Sequence, residues 1–276
     1  MTTQLTIPAP GTLEVDPRQL VRNADVIVIN SSGGKDSQAM LDYVATLAIE
    51  EDAAERVTVV HNDLGTTDTG LPVEWPGTAD LVHEQAGHYG FPVVVTRREK
   101  GGLFQQLRNE RRKFPSSAAR WCTSDQKTSQ GRKAVTRLVA AAGIEGRPAE
   151  VLYCLGLRAQ ESPGRARKPV LEVDKAGTSG RRIIRRWLPI HDWSEAEVWD
   201  RIRESGVRYH PAYDQGMTRL SCSLCVLASR DDLVRAACLR PDLAAEYAAV
   251  EVELGHAFRA DMSMADIIAA AEAVTR

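Results

Sequence analysis

Apolar positions along the first half of the chain follow two alternating rhythms. Asp25-Val-Ile-Val-Ile-Asn30 is a short, nearly continuous apolar run, the pattern of a strand buried on both faces. Residues 37–51 follow, with Met40, Leu41, Val44, Leu47 and Ala48 recurring at helical spacing, which predicts an amphipathic helix. The alternation then repeats, with strand 56–61, helix 79–89, strand 91–96, helix 132–142 and strand 151–157. Strand–helix units of about thirty residues imply right-handed crossovers between parallel strands. The expected fold is therefore α/β: a Rossmann-like parallel sheet with helices on both faces.

The second half is less regular. Residues 182–188 read as a fifth strand leading into Pro189. Ser194-Glu-Ala-Glu197 precedes Val198, Trp199 and Ile202, a capping-box pattern that starts a helix. Residues 207–220 are rich in turn formers, and 221–228 contain Cys222 and Cys225. From 231 to 273 the chain is alanine-rich and helical, divided by Pro241 and Gly255. No internal repeat or low-complexity linker interrupts it. The expected organisation is an extension (1–23), a main domain (24–230) and a C-terminal helical appendage (231–276).

Composition narrows the function classes. In 276 residues, 35 Lys and Arg stand against 37 Asp and Glu, which excludes a generically basic nucleic-acid binder but not a local basic patch. No apolar run approaches the ~18 residues of a membrane helix, and residues 1–15 lack the basic start and apolar centre of a signal peptide. Five cysteines, an odd number, argue against a disulfide framework and for a reducing compartment. The expected location is the cytoplasm, away from membranes; oligomeric state is not legible.

Charge is unevenly spread. Residues 97–137 contain twelve basic and three acidic side chains, 158–186 nine and three, and 231–276 four and nine. Such runs are either solvated helix faces or two positive segments converging on a polyanion while the acidic tail packs elsewhere.

The strongest local signal is Asn30-Ser-Ser-Gly-Gly-Lys-Asp-Ser37, between the first strand and its helix. Gly33 and Gly34 let the backbone turn sharply and approach a ligand. The hydroxyls of Ser31, Ser32 and Ser37, with unpaired amides at the helix start, form an anion nest. Lys35 adds positive charge, and Asp36 is suited to orient a metal ion or water. The segment has neither the glycine spacing of a Walker loop nor that of a dinucleotide fingerprint. The reading requires the loop's amides to be free of the protein's own atoms.

Ser32-Gly-Gly-Lys-Asp-Ser37 resembles the pyrophosphate loop of the ATP pyrophosphatases, or adenine nucleotide alpha hydrolases. Further segments narrow the resemblance to the phosphoadenosine phosphosulfate (PAPS) reductase family: Asn62-Asp-Leu-Gly65, Arg120-Trp-Cys-Thr123 with Lys127, and Leu155-Gly-Leu-Arg-Ala-Gln-Glu-Ser-Pro-Gly-Arg165. Trp187-Leu-Pro-Ile-His-Asp-Trp193, Val198-Trp199 and Tyr213-Asp-Gln-Gly-Met-Thr-Arg219 complete the set. The resemblance covers about residues 24–230 and implies an adenine nucleotide, ATP or PAPS-like, at the carboxyl ends of the strands. Loops after strands one, two and four fall on that edge. There Asp63 is placed to accept from adenosine or hold a metal-bound water. Arg158 and Arg165, near Gly156, offer planar forks for phosphate or sulfate oxygens, and Glu161 can hold one of them in place.

Cys222 and Cys225, with two residues between them, suit zinc, an iron–sulfur cluster or a redox pair. Cys122 is the best third ligand and Cys238 a weaker fourth, whereas Cys154 reads as a buried mid-strand residue. The histidines show no tight ligand spacing. Resemblance to cluster-bearing members favours [4Fe–4S] over zinc; ligand count alone leaves both open, with free thiols. Assimilatory reductases of the family attack sulfur with a cysteine in a C-terminal Glu-Cys-Gly-Leu-His tail; here Glu253-Leu-Gly-His-Ala-Phe258 stands in its place. The leading expectation is therefore an enzyme that cleaves ATP between the α and β phosphates, with Mg2+. It would activate an acceptor for sulfur transfer, as in phosphorothioation or thiolation enzymes of the wider group. A nucleic-acid acceptor and a cysteine desulfurase or thioredoxin-like sulfur donor are the expected partners. A sulfonucleotide reductase acting on PAPS or APS, and a non-catalytic metal-stapled module binding nucleic acid, are the alternatives.

Overall fold

The computed structural model describes residues 16–275; Arg276 and residues 1–15, the stretch expected to carry no signal peptide, lie outside the described residues. Helix α1 (Pro17–Asn23) is capped by the Asp16 side chain and buries Val21 in the main core. β1 (Val26–Ser31) follows and is buried almost throughout. Ile27 and Ile29 face one core cluster, and Val26 and Val28 face another. Burial on both faces explains the unbroken apolar run, because neither side of this strand meets water.

α2 (Lys35–Glu50), β2 (Val57–Asn62), α3 (Thr78–Gly87) and β3 (Val93–Thr96) continue the alternation. Residues 97–128 contain only short helical pieces, α4 (Leu103–Gln106) and α5 (Trp121–Thr123), each running into a wider turn. Helix α6 (Ser129–Ala142) leads to β4 (Ala149–Leu155), which pairs parallel to β1. After α7 (Pro163–Ala166), β5 (Leu171–Val173) and β6 (Arg182–Trp187) form a hairpin at the sheet edge.

The six strands among the described residues are ordered β3-β2-β1-β4-β6-β5. Five run parallel, as expected; β5, unforeseen from the sequence, is antiparallel. Three residues are too few to display a period. α2 and α3 pack on one face with α8 (Glu195–Ser205), whose capping box joins Ser194 and Glu197. α6 covers the other face. α9 (Arg230–Leu239), α10 (Pro241–Leu254) and α11 (Met264–Thr275) build a separate cluster with Leu64, Phe104, Phe114, Trp121 and Leu224. These C-terminal helices thus pack against the loops at the carboxyl edge of the sheet. Among the described residues no helix is long and apolar enough to cross a membrane.

Two features place the site. The strand order reverses between β1 and β4, so the loops leaving them diverge and open a crevice at their carboxyl ends. In addition, α6 covers only the amino-terminal part of its face, leaving Asn30, Asn62, Tyr153 and Leu155 to line open space.

Candidate functional site

The crevice is a cavity of about 880 Å³, near the upper end of the roughly 300–1,000 Å³ of small-molecule sites. Ser31, Ser32, Gly34, Asp36 and Ser37 form one wall. The turn depends on Gly33, whose φ of +70° is strained for residues with side chains. Gly156, after β4, lets that loop close on the start of α2; a Cβ there would stand 2.9 Å from the Asp36 carbonyl.

The amides are only partly free. Ser32 N–H donates to Ser37 Oγ (3.2 Å), Gly33 N–H to Ser31 Oγ (3.2 Å) and Lys35 N–H to Tyr213 Oη (2.8 Å). Gly34, Asp36 and Ser37 N–H groups have no hydrogen-bond partner among the described residues. All three occupying partners are hydroxyls, groups that can rotate aside for a phosphate oxygen. The positive end of the 16-residue helix α2 points at the same place.

Two of the loop's charged residues are separated by helix geometry. Asp36 lines the cavity, whereas Lys35 turns away by about the 100° that separates successive helical residues. Lys35 Nζ donates to the Thr218 carbonyl (3.0 Å), lies 3.5 Å from Asp36 and 3.7 Å from Glu195, and sits over the Tyr213 ring. It is 4% exposed and acts as an internal brace rather than a group presented to the cavity. Asp36 also pairs with Arg158, which is 3% exposed and donates to the Trp193 carbonyl. Arg158 is likewise absent from the cavity wall. Asp63 lies outside the wall too, paired with Arg97 and accepting from Gly65 N–H (2.6 Å).

Arg165 and Glu161 do line the cavity, and Glu161 pairs with Arg165 while accepting from Arg158 N–H (3.1 Å). Arg165 is pushed down to about 10 by burial and by the neighbouring charges of Arg219 and Arg120. Arg120 and Arg219 line the same cavity. Like charges gathered around a cavity make it electrostatically suited to an anion. Sequence reasoning quoted Arg120 and Arg219 within longer motifs but gave them no role; Tyr213, which holds Lys35 N–H, was missed in the same way.

Cys122, Cys222 and Cys225 line the same cavity as the phosphate loop. The neighbouring Cys222, with help from Leu227 N–H, Ser221 and Arg219, pulls Cys225 well below its ordinary value, whereas Cys225 and burial raise Cys222. Burial, with Cys225 nearby, also raises Cys122. The structure does not bring Cys238 to this group: its thiol donates to the Ala271 carbonyl (3.5 Å) between α9 and α11. Cys154 is fully buried in β4. Among the described residues no group of three or more histidine, cysteine or carboxylate side chains is arranged to hold a metal ion. The expected four-cysteine ligand set therefore does not form.

Beneath the loop lies His61, 1% exposed. Its Nδ1 faces the Ser31 carbonyl (3.0 Å), which can only accept, so Nδ1 carries a proton. Nε2 stands 3.3 Å from the Glu74 carboxylate, off the hydrogen-bonding direction but within ion-pair range. Burial opposes the charge on His61, but Glu74 outweighs it and raises the imidazole above its ordinary value. Glu74 forms an isolated backbone bridge to Cys222, so this pair links the phosphate loop to the cysteine turn.

A model of the phosphoadenosine phosphosulfate reductase domain matches residues 26–228. An uncharacterized 37.8 kDa protein of Escherichia phage 186 is 28% identical over 213 residues, covering 75% of this chain and 60% of that protein. The chain thus spans less than two thirds of that relative's length. Adenosine 5'-phosphosulfate reductase of Allochromatium vinosum is 27% identical over 223 residues, 76% of this chain and 72% of that enzyme. Among solved structures, PAPS reductase from Candida auris in a phosphate complex aligns with a TM-score of 0.47 and 19% identity, over 76% of this chain and 89% of that one.

Proposed function

Because this chain belongs to the phosphoadenosine phosphosulfate reductase domain family, we propose that it binds ATP with the phosphate tail at residues 31–37, cleaves it between the α and β phosphates, and thereby activates an acceptor for sulfur transfer. One observation carries this reading: a single cavity is lined by both the phosphate loop and three thiols. The nucleotide-binding unit is residues 24–230, with 1–23 as an extension and 231–276 as a helical appendage. Five free thiols suit a reducing, cytoplasmic setting.

The acceptor's oxygen attacks the α-phosphorus while the bond to the bridging oxygen of the β-phosphate breaks, and pyrophosphate leaves. Charge grows on that leaving group. Free amides of Gly34, Asp36 and Ser37, hydroxyls of Ser31 and Ser32, and Arg165 with Arg120 and Arg219 are placed to stabilise it. Lys35 and Arg158 act by holding the loop. Mg2+ would be held by the nucleotide's own phosphates, since Asp36 and Asp63 are committed to arginines. Sulfur received as a persulfide on one of Cys122, Cys222 and Cys225 from a cysteine desulfurase then attacks the activated atom and AMP leaves. A second of these thiols attacks the cysteine sulfur of the resulting disulfide, releases the thiolated acceptor, and leaves an enzyme disulfide for a thioredoxin-like dithiol to reduce. A resident [4Fe–4S] cluster or zinc ion finds no ready ligand set, so the sulfur chemistry rests on the thiols themselves.

The presence of Cys222 and Cys225 together on the cavity lining favours a second reading, a sulfonucleotide reductase without a tail cysteine. Cys225 would attack the sulfur of PAPS or APS and expel the nucleotide. Cys222 would then attack Cys225, release sulfite and leave a disulfide for a thioredoxin-like dithiol to reduce.

Pyrophosphate release from ATP, with and without candidate acceptors, tests the first reading. Ser32→Ala should slow it about tenfold or more, the loss of one hydrogen bond to a charged group. Wild-type protein that binds no adenine nucleotide would overturn both readings. Sulfite formed from PAPS with thioredoxin, without pyrophosphate release from ATP, would replace the first by the second.

A further inference from the structure

The cavity does not end at the phosphate loop. It continues past Tyr153 and Leu155 to the rim where α6 meets the β5–β6 hairpin. Nine cationic side chains line it against three carboxylates, those of Asp36, Glu161 and Asp174. Each carboxylate is already matched, by Arg158, Arg165 and Arg132 respectively. Lys133 and Arg186 pair with Glu99 and Glu172, outside the cavity. Arg120, Lys127, Lys168, Arg182 and Arg219 have no ion-pair partner among the described residues. A nucleoside triphosphate brings about four negative charges and its divalent cation removes about two. Several positive charges would remain unmatched.

The surplus continues outward. Arg137 on α6, Arg167 beside Lys168, and Lys175 and Arg181 on the hairpin are exposed and form no ion pair among the described residues. The hairpin is fastened to α6 by Arg132 on Asp174 (2.7 and 3.1 Å) and by Arg182 on Thr136 (2.6 Å), which holds these cations on one rim. Val173 is the one large hydrophobic side chain exposed between residues 163 and 186. A protein partner would need aromatic or apolar anchors here. A phosphodiester backbone needs only spaced cations.

We propose that this rim is a phosphate-backbone track for a double-helical nucleic acid, whose reacting nucleotide enters the cavity from the Lys168–Arg182 side. The proposal rests on the acceptor-activation reading and names its acceptor. With no aromatic side chain on the rim to stack a base, recognition is by backbone charge, so a duplex is held better than a single strand of equal length.

The test is fluorescence anisotropy on the full chain with RNA and DNA hairpin oligonucleotides, titrated across salt concentrations, beside ATP binding measured separately. Lys175→Glu with Arg181→Glu should weaken hairpin binding about thirtyfold and flatten the log-affinity against log-salt slope by about two. The same charge change at Lys100 and Lys113, which are exposed elsewhere, should cost less than about threefold, and both double variants should bind ATP as the wild type does. Equal losses in the two double variants, or full competition by polyglutamate, would overturn the track. Absence of hairpin binding with ATP binding intact would overturn it too and leave the activation reading standing; absence of ATP binding would remove that reading instead.

Discussion

Two basic runs, 97–137 and 158–186, stand out in the sequence, and folding treats the first part of one, 97–112, and the later part of the other, 165–186, in opposite ways. In the first segment every arginine is neutralised: Arg97 by Asp63, Arg98 by Glu110, Arg108 by Asp68 and Glu253, Arg111 by Asp125, and Arg112 by Glu253. Glu253 comes from α10, so the acidic C-terminal helices pack onto the basic stretch instead of away from it. In the second segment Arg165, Arg185 and Arg186 are paired, while Arg167, Lys168, Lys175, Arg181 and Arg182 are not. A charge run is therefore uninformative until its partners are known. What marks a binding surface is the positive charge left over after the protein has neutralised itself.

The contrast can be broken most severely at Asp174, which fastens the unpaired segment to α6. Asp174→Ala leaves the half-buried Arg132 without its partner and should cost on the order of 2 kcal/mol in urea unfolding. The same variant should lose hairpin-oligonucleotide affinity as the rim loosens. A change in stability below about 0.5 kcal/mol would mean that the hairpin is held by other contacts.

A smaller effect is expected from making the first segment resemble the second. Glu253→Gln frees Arg112 and half-frees Arg108, both at the surface. Stability should fall by less than about 1 kcal/mol, and oligonucleotide affinity should rise by less than about twofold. A rise of about fivefold or more would show that free charge alone, and not position on the rim, decides binding.

The smallest effect concerns a pair that can be switched by pH. His61 is raised in the folded protein by Glu74, so its contribution is fully present below the unfolded value of about 6.5 and fades as pH rises through the folded value. The thermal midpoint should decline over that window, and His61→Asn should flatten the decline. A midpoint that instead rises with pH there would contradict the assigned charge pair.

Much of the architecture was legible. The central strands β1 and β2 announced themselves because they are buried on both faces, and the Ser194–Glu197 capping box marked its helix start to the residue. The phosphate loop was legible as a segment, but its side chains were not. Lys35 and Asp36 are neighbours in sequence, yet the helix turns one toward Thr218 and the other toward the cavity. Arg158 and Arg165 looked equivalent, and only Arg165 lines the cavity. Cys238 looked like a ligand, but its register on α9 points it at α11.

Taken alone, the amino-acid order settled those properties that a short window can encode: strand and helix periods, the glycine turn, the hydroxyl-rich nest and the family of the fold. Folding alone decided which charges cancel, because the deciding partners lie far apart in the chain, as Glu253 lies 145 residues from Arg108. Coulomb attraction acts through space over a few ångströms, and no spacing rule along the chain reports which carboxylate will arrive.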